Sequence, residues 1–262
     1  MIACMQAQLQ IIPIPAFKDN YIWLLHNRHE AVIVDPGDAV PVLEVLQAMQ
    51  LQLTTILITH HHHDHIGGVE KLLNTYPNAE IYAPRHEQFA FKHIAISEPD
   101  VINIDALNIT FKVLDVPGHT LGHIAYFSVE NEHPILFCGD TLFGAGCGRL
   151  FEGTPQQMFD SLQKLKSLPA DTLVYCTHEY TLHNISFAMT LEPGNSKLML
   201  RQSQTLHMRN LDQPSLPSTL ALELETNPFL RCDTPEIQAA VGLENGNVLK
   251  VFTAVRERRN HY

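Results

Sequence analysis

Several features that define other protein classes are missing from this sequence of 262 residues. It has no run of about 18 or more apolar residues, so we expect no membrane-spanning helix. Residues 1–15 have no basic segment ahead of an apolar stretch, so we expect no signal peptide. Lys and Arg number only 17 against 28 Asp and Glu, and this net charge of −11 argues against a broad grip on nucleic acid.

Cysteine is also scarce. The five cysteines are odd in number, are widely spread and form no Cys-x-x-Cys pair, which argues against a disulfide framework and a zinc ribbon. Reduced thiols are typical of cytoplasmic proteins. An apolar fraction of 45% and a charged fraction of 17% indicate a globular chain with a full core. We therefore expect a soluble cytoplasmic enzyme, monomeric by default because no heptad seam or strong exposed apolar stripe is evident.

Up to residue 178, short apolar runs alternate with turns and helical stretches, which predicts an α/β domain. Helices are predicted at 40–50, 69–74 and 155–168. Strands are predicted at 8–14, 21–25, 31–35, 54–59, 81–84, 109–116, 123–129, 134–138 and 172–176.

From residue 179 onward the pattern changes to helical stretches separated by Pro, Gly and Asn turns. The loop expected between the second and third of these helices contains Pro214, Pro217 and Asn227–Phe229. We predict a domain boundary here, with residues 1–178 in one domain and 179–262 in a helical one. The predicted helices are 180–191, 196–210, 235–241 and 247–258.

A histidine-rich segment, THHHHDH, directly follows the predicted strand 54–59. His60 and His62 are two residues apart, so their rings can converge on one metal ion, while Asp64 and His65 just beyond can serve a second ion. His61 and His63 are expected to point elsewhere. The alternative is a histidine tract without fixed geometry, which the position after a buried strand disfavours.

Three further strand ends carry a possible metal ligand: His119, Asp140 and His178. Each one alone is more readily explained as a cap or turn residue. Because open sheets present the ends of their strands at one edge, the three together with the histidine segment predict a metal centre.

The pattern T-H-x-H-x-D-H after a strand, followed by PGHT, GDT and THEY, resembles the metallo-β-lactamase superfamily. The resemblance implies an αββα sandwich with a C-terminal helical domain. Residues 1–178 would form the metal hydrolase domain and residues 179–262 a substrate-binding domain. A second set of motifs resembles the narrower glyoxalase II (hydroxyacylglutathione hydrolase) family: Asp140–Phe143, Gly146–Thr154, Thr177–Thr181, Glu192–Asn195, Asn227–Phe229 and the basic C-terminal helix.

The resemblance also implies the cofactors, namely two divalent metal ions per chain. Zinc is the expected metal, with iron or manganese as alternatives. Asp64 and Asp140 would be the catalytic residues. The implied ligands are His60, His62 and His119 for one ion, Asp64, His65 and His178 for the other, and Asp140 as the bridge between them.

The implied reaction is hydrolysis of the thioester S-D-lactoylglutathione to glutathione and D-lactate by a metal-bridging hydroxide, the second step of methylglyoxal detoxification. Arg256 and Arg259 share one face of the terminal helix, and the resemblance implies that they bind the glycine end of glutathione. Arg149, Phe151 and Tyr180 are the implied pocket residues. Arg149 and Arg259 stand where Lys is frequent in the family, and Phe151 stands where Tyr is frequent and lacks its hydroxyl.

Alternative interpretations remain at this point. The same fold serves mononuclear-iron persulfide dioxygenases and other hydrolases such as β-lactamases and lactonases, and a non-catalytic metal-binding module is a further alternative. The basic terminal helix could also be an ordinary solvated helix end. The long C-terminal region argues against the dioxygenase and the other hydrolases. The expected partner is a small-molecule glutathione thioester, with no nucleic acid and no membrane.

Overall fold

Two mixed six-stranded sheets form the framework of the computed structural model, which describes residues 9–129 and 132–262. In the first sheet the strands follow chain order, antiparallel from β1 to β3 and parallel from β3 to β6. Its strands are β1 (Gln10–Ala16), β2 (Asn20–His26), β3 (Glu30–Val34), β4 (Gln52–Leu57), β5 (Glu80–Pro84) and β6 (Ile94–Ile96).

The second sheet has the order β14-β13-β10-β9-β8-β7, and only the β10–β13 pair is parallel. A short 3₁₀ turn, Asp105–Leu107, joins β7 to β8, and a two-stranded ribbon of β11 and β12 stands apart. The strands are β7 (Val101–Ile104), β8 (Ile109–Asp115), β9 (Ile124–Ser128), β10 (Ile135–Gly139), β11 (Leu142–Phe143), β12 (Gly146–Cys147), β13 (Leu173–Cys176) and β14 (Ser218–Thr219).

Helices cover the sheets, and further helices follow β13. Among the described residues, none of the helices combines the length and the apolar composition that a membrane span requires. The helices are α1 (Ala39–Met49), α2 (His63–Ile66), α3 (Val69–Thr75), α4 (Pro155–Lys166), α5 (Thr181–Leu191), α6 (Ser196–Asn210), α7 (Leu220–Thr226), α8 (Pro235–Ala240) and α9 (Val248–Asn260).

Strand β2 shows how the sequence builds the layers, because it is buried on both faces. Trp23 belongs to the core shared by the two sheets: its ring meets that of Tyr175 edge-on at 4.9 Å, and its indole N–H donates to the Cys176 carbonyl. The alternate residues Ile22 and Leu24 belong to the core beneath α1 and α3. Each such buried side chain contributes about 1.5–3 kcal/mol, which sets the register of the strand.

The predicted αββα sandwich with a C-terminal helical region is confirmed, as are all the predicted strands and helices within about two residues at each end. Residue 8, the first of the predicted strand 8–14, lies outside the described residues, as does Cys4. The predicted loop before Asn227 was wrong in part, because it contains α7. This helix begins where the Thr219 side chain accepts a hydrogen bond from the Leu222 N–H, and seven residues are too few to show a helical period in the sequence.

The C-terminal region also contributes strand β14, which pairs with β13 at the edge of the second sheet. Next to it lies a buried ion pair in which Arg201 donates to Glu223 at 2.5 Å. The other Glu223 oxygen accepts from the Ala145 N–H at 2.8 Å and from the Asn227 side chain at 3.0 Å. This carboxylate therefore joins the C-terminal helices to the turn between β11 and β12.

We predict that Arg201→Met destabilises the protein by about 3–5 kcal/mol, because it leaves the buried Glu223 carboxylate without its cation. Lys197→Met is the matched control, since Lys197 pairs with Glu225 across 3.6 Å on the exposed side of the same helix. That variant should cost less than about 1 kcal/mol. Urea unfolding measures both, and equal losses would contradict the prediction.

Candidate metal centre and adjoining cavity

The ends of four strands, from both sheets, meet at one edge of the sandwich. His60 follows β4, His119 follows β8, Asp140 follows β10 and His178 follows β13. All four side chains are buried. The sequence expectation that these strand ends converge is confirmed by their distances from one another, described below.

The histidine segment leaves β4 and turns into the single helical turn α2, with His62 immediately before it. His61 turns away from the cluster, its Nδ1 lying 3.2 Å from Glu87 Oε2 and its Nε2 3.4 Å from Glu152 Oε1. His63 is exposed. The expectation that these two histidines point elsewhere is confirmed.

Two glycines allow the backbone to close around the ligands. A Cβ on Gly37 would lie 1.9 Å from the Asp64 carbonyl oxygen, and a Cβ on Gly148 would lie 1.8 Å from that of Asp140. No larger residue fits at either position without displacing the backbone of Asp64 or Asp140. The turn after β3 and the loop after β12 therefore help to place the two acidic residues.

All seven predicted ligands lie in one cluster. Three overlapping groups each bring one donor atom per residue within 4.8 Å of the others. The groups are His60, His62 and His119; His60, His65 and Asp140; and Asp64, His65 and His178.

Asp140 lies between the two outer groups. Its Oδ2 is 3.3 Å from His119 Nε2, and its Oδ1 is 3.4 Å from His178 Nε2 and 3.5 Å from His65 Nε2. Thus Oδ2 faces the group that contains His119, and Oδ1 faces the group that contains His65 and His178. This placement supports the predicted bridging role.

The imidazoles are oriented by hydrogen-bond partners on their outer side. His65 Nδ1 lies 3.0 Å from Asp35, His178 Nδ1 2.9 Å from Asp19, and His119 Nδ1 2.7 Å from the Arg149 carbonyl oxygen. Donation from Nδ1 leaves Nε2 of each ring free to face the centre. These three partners therefore fix the orientation of the imidazoles from outside the cluster.

Sequence reasoning missed several of these outer residues. Asn20 donates to Asp64 Oδ2 at 3.0 Å, and the Thr59 hydroxyl donates to Asp35 at 2.7 Å and lies 3.1 Å from His60 Nδ1. For Asp35, whose φ is 53°, the sequence predicts only a place at the end of the strand 31–35. The signal that could have identified it is an acidic residue at the end of a predicted strand, as for Asp140.

His123 is a further buried residue that the sequence did not single out. Its Nε2 accepts the Asp140 backbone N–H at 3.1 Å, and its ring stacks on that of His60 at 4.6 Å. Burial, together with the neighbouring His119, lowers the pKa of His123 well below its ordinary value, so the ring is neutral and acts as an acceptor. Through this hydrogen bond His123 helps to position the predicted ligand Asp140.

The cluster is chemically suited to divalent cations. His65 Nε2 and Asp140 Oδ1 are buried and have no hydrogen-bond partner among the described residues. Burial alone would raise the pKa of Asp140, but the imidazoles of His178, His65 and His119 lower it well below its usual range, so it is a carboxylate. Inward-facing nitrogens and carboxylate oxygens without partners form the donor set that zinc, iron and manganese accept. The residues fit two metal ions.

A cavity of about 310 Å³ opens directly on the cluster and has His119 and Asp140 in its wall. All five residues predicted to contact the substrate line it: Arg149, Phe151, Tyr180, Arg256 and Arg259. Cys147, which the sequence places near this pocket without a role, also lines it, and the lining residues that the sequence did not indicate are Phe143, Asn184 and Asn260.

The two helix α9 arginines in the cavity wall differ in their surroundings. Arg256 is only 6% exposed, and its guanidinium donates to the Cys147 carbonyl at 2.9 Å. Its Nε has no partner among the described residues. Arg259 is half-buried and donates to Asn184 Oδ1 at 3.1 Å. The alternative of a fully solvated helix end is therefore wrong for Arg256.

Two known families match consecutive parts of the chain. The family described as "Metallo-beta-lactamase superfamily" matches residues 17–178, and that described as "Hydroxyacylglutathione hydrolase C-terminus" matches residues 179–262. A relative from Methylobacillus flagellatus named hydroxyacylglutathione hydrolase is 54% identical over 253 residues, covering 97% of this chain and 99% of the relative. The chain belongs to the hydroxyacylglutathione hydrolase family.

A second relative and a solved structure are also similar to this chain. A protein of the same name from Nitrosomonas eutropha is 47% identical over 258 residues, which cover 97% of this chain and 99% of that protein. The solved structure of TTHA1623 in a di-iron-bound form is 25% identical with a TM-score of 0.60, and it covers 84% of this chain and 100% of that one.

We predict that metal binding to the ion-free protein releases protons. Burial disfavours the charged form of His178, but the carboxylates of Asp140, Asp19 and Asp64 raise the pKa of its imidazole to about 10. At neutral pH this ring is protonated and must lose its proton to bind a cation, so metal affinity should rise with pH up to about pH 10. Calorimetry in two buffers of different ionisation enthalpy counts the protons, and a value of zero at pH 7 would contradict the prediction.

Proposed function

We propose that this chain hydrolyses S-D-lactoylglutathione, or a closely related 2-hydroxyacylglutathione thioester, to glutathione and the free hydroxy acid. The observation that carries the proposal is the cavity in which three arginines, Arg149, Arg256 and Arg259, lie beside the metal cluster. Relatives 47–54% identical over nearly the whole chain carry the name of this activity. We further propose that the metal is zinc and that the protein is a monomer. We also propose a cytoplasmic location, because the cysteines among the described residues form no disulfide.

The proposed metal ligands are the seven residues of the cluster, with Asp140 shared between the two ions. When bound, divalent ions supply Lewis acidity for the thioester carbonyl and lower the pKa of a coordinated water. The part played by the chain is to hold the donor atoms in place. Asp19, Asp35, Thr59 and the Arg149 carbonyl do so by fixing the orientation of the imidazoles.

Asp64 is the proposed proton acceptor. Burial raises the pKa of this carboxyl group, but the His65 imidazole and the hydrogen bond from Asn20 lower it more, so Asp64 is ionised at neutral pH. Its side chain is 40% exposed, which leaves it open to solvent at the edge of the cluster. It can hold the proton released when water adds to the carbonyl carbon and the carbon–sulfur bond breaks. The sulfur leaves as a thiolate, which needs little help from a general acid.

The arginines account for recognition of the glutathione part. Glutathione carries two carboxylates, and guanidinium groups bind carboxylates through paired hydrogen bonds. Arg259 is the more available of the two helix α9 arginines, since Arg256 is bonded to the Cys147 carbonyl. Arg149, on the loop after β12, supplies a third cation near the mouth of the cavity.

Aromatic side chains shape the part of the cavity next to the metal cluster. Tyr180 stacks on His178 at 4.7 Å with nearly parallel rings. Burial and the nearby Asp19 carboxylate raise the pKa of its phenol, which remains protonated and able to donate a hydrogen bond. Phe151 is 62% exposed and touches the rings of His62 and His119 edge-on. We propose that Phe151 packs against the acyl group of the substrate and makes no hydrogen bond to it.

A direct test of the proposed function pairs metal analysis with loss of S-D-lactoylglutathione absorbance. We expect about two ions per chain, turnover that chelation abolishes, and no turnover in Asp140→Asn, because that amide cannot serve as an anionic bridge. Asp171→Asn, in an exposed Asp–His pair, is the control and should be fully active. One iron per chain with oxygen uptake on glutathione persulfide and no hydrolysis would instead support the dioxygenase alternative.

We predict that Arg259→Ala raises KM for the glutathione thioester by roughly 10- to 100-fold with little change in kcat, since it removes a charge-assisted contact remote from the reacting atoms. The matched control is Arg258→Ala, because Arg258 lies next to it on α9 but donates to the Ala240 carbonyl outside the cavity. Steady-state kinetics separate the two variants. An equal rise of KM in both, or none in Arg259→Ala, would remove Arg259 from the binding site.

A further inference from the structure

The outer partners of the metal ligands differ between the two halves of the cluster. In the half formed by Asp64, His65 and His178, both imidazoles are backed by carboxylates: Asp35 Oδ2 lies 3.0 Å from His65 Nδ1, and Asp19 Oδ1 lies 2.9 Å from His178 Nδ1. Asp64 adds a carboxylate among the ligands themselves. This half therefore has three carboxylates of its own, two behind its imidazoles and one among its ligands.

The other half is formed by His60, His62 and His119 and has no acidic ligand of its own. Its outer partners are uncharged: the Thr59 hydroxyl lies 3.1 Å from His60 Nδ1, and the Arg149 carbonyl oxygen lies 2.7 Å from His119 Nδ1. His62 has its Nδ1 turned inward, 3.0 Å from His119 Nε2. Asp140 is common to both halves and therefore does not distinguish them.

The difference has a direct physical consequence. A carboxylate behind an imidazole fixes the tautomer, holds the ring in place and makes Nε2 a stronger donor, and its charge attracts the cation in a weakly screened site. From this asymmetry we infer that the Asp64–His65–His178 half holds its divalent ion more tightly than the three-histidine half, and that Asp19 is a positioning residue that produces much of the difference. The inference uses the proposed ligand set but not the identity of the substrate.

A substitution of Asp19 tests the role of an outer carboxylate in one half of the cluster more cleanly than a substitution of Asp35. Asp35 Oδ2 accepts from the Thr59 hydroxyl as well as facing His65, so it influences both halves of the cluster. The Asp19 side chain faces His178 alone among the hydrogen bonds and ion pairs in the described part of the chain, and it is 38% exposed in the turn between β1 and β2. Replacement by Asn keeps its size and removes its charge without opening the core.

The test is a titration of the metal-free full-length protein with Zn²⁺ against a chromophoric chelator, without substrate. In the unmodified chain we expect two distinct dissociation constants. Asp19→Asn should raise the smaller one about 10- to 100-fold, the usual effect of losing an outer-layer carboxylate, and leave the larger one unchanged. Asp19→Glu, which keeps the charge on an exposed turn, should restore part of the affinity.

Two controls locate the effect. His62→Ala should remove the weaker binding event and keep the tighter one, because His62 belongs only to the three-histidine half. Asp171→Asn should change neither constant, since Asp171 lies behind His133 Nδ1 on the surface, 3.8 Å away. The inference is overturned if Asp19→Asn leaves both constants intact, weakens both alike or weakens only the looser site, or if His62→Ala removes the tighter event.

Because affinity is measured without substrate, the result stands apart from the proposed hydrolysis. A chain that binds two ions unequally and cleaves no thioester would keep this inference and reject the proposed function. A chain that hydrolyses the thioester and binds both ions with equal dissociation constants would keep the proposed function and reject this inference. A proton resonance from the His178 Nδ1–H in the zinc-loaded protein, present in the unmodified chain and lost in Asp19→Asn, would report the same contact without any activity.

Discussion

Five imidazoles and two carboxylates, most of them buried, can lie this close together only if their buried outward-facing groups have partners and the inward-facing atoms meet a cation. The outward requirement is met by Asp19, Asp35, Thr59 and a backbone carbonyl. The inward requirement appears as the partnerless Asp140 Oδ1 and His65 Nε2. The surrounding structure brings these groups together, because strands from both sheets end at the same edge. Gly37 and Gly148 also let the backbone approach the acidic residues.

The substrate side of the site depends on a different part of the chain. Arg256 and Arg259 are carried by the last helix, while Arg149 and Phe151 are on the loop after β12. Hydrogen bonds from Arg256 to Cys147 and from Asn227 to Gly146 fasten this loop region to the C-terminal helices. The cavity wall is therefore built jointly by the two regions that the family comparisons distinguish, and the metal cluster lies where they meet.

Much of this arrangement was accessible from the sequence. Strand ends are marked by β-branched runs followed by polar residues, so the sequence alone predicts that His119, Asp140 and His178 lie at one edge. The family motifs supplied the grouping of the ligands. Asp19, Asn20 and His123 could not be recognised, because their function depends on contacts between distant segments: Asp19 and His178 are 159 residues apart. Short elements such as α7 and β14 also escaped, since they are stabilised by tertiary contacts and not by local periodicity.

The pairing of β14 with β13 has a consequence for how such a chain can be divided. β13 leads directly to His178, and its outer neighbour in the sheet comes from beyond the boundary between the two matched families. Without the C-terminal region, β13 would become an exposed edge strand beside the metal cluster. The two regions match different families but share one sheet, so exchanging the C-terminal region for another would require a replacement that also pairs with β13.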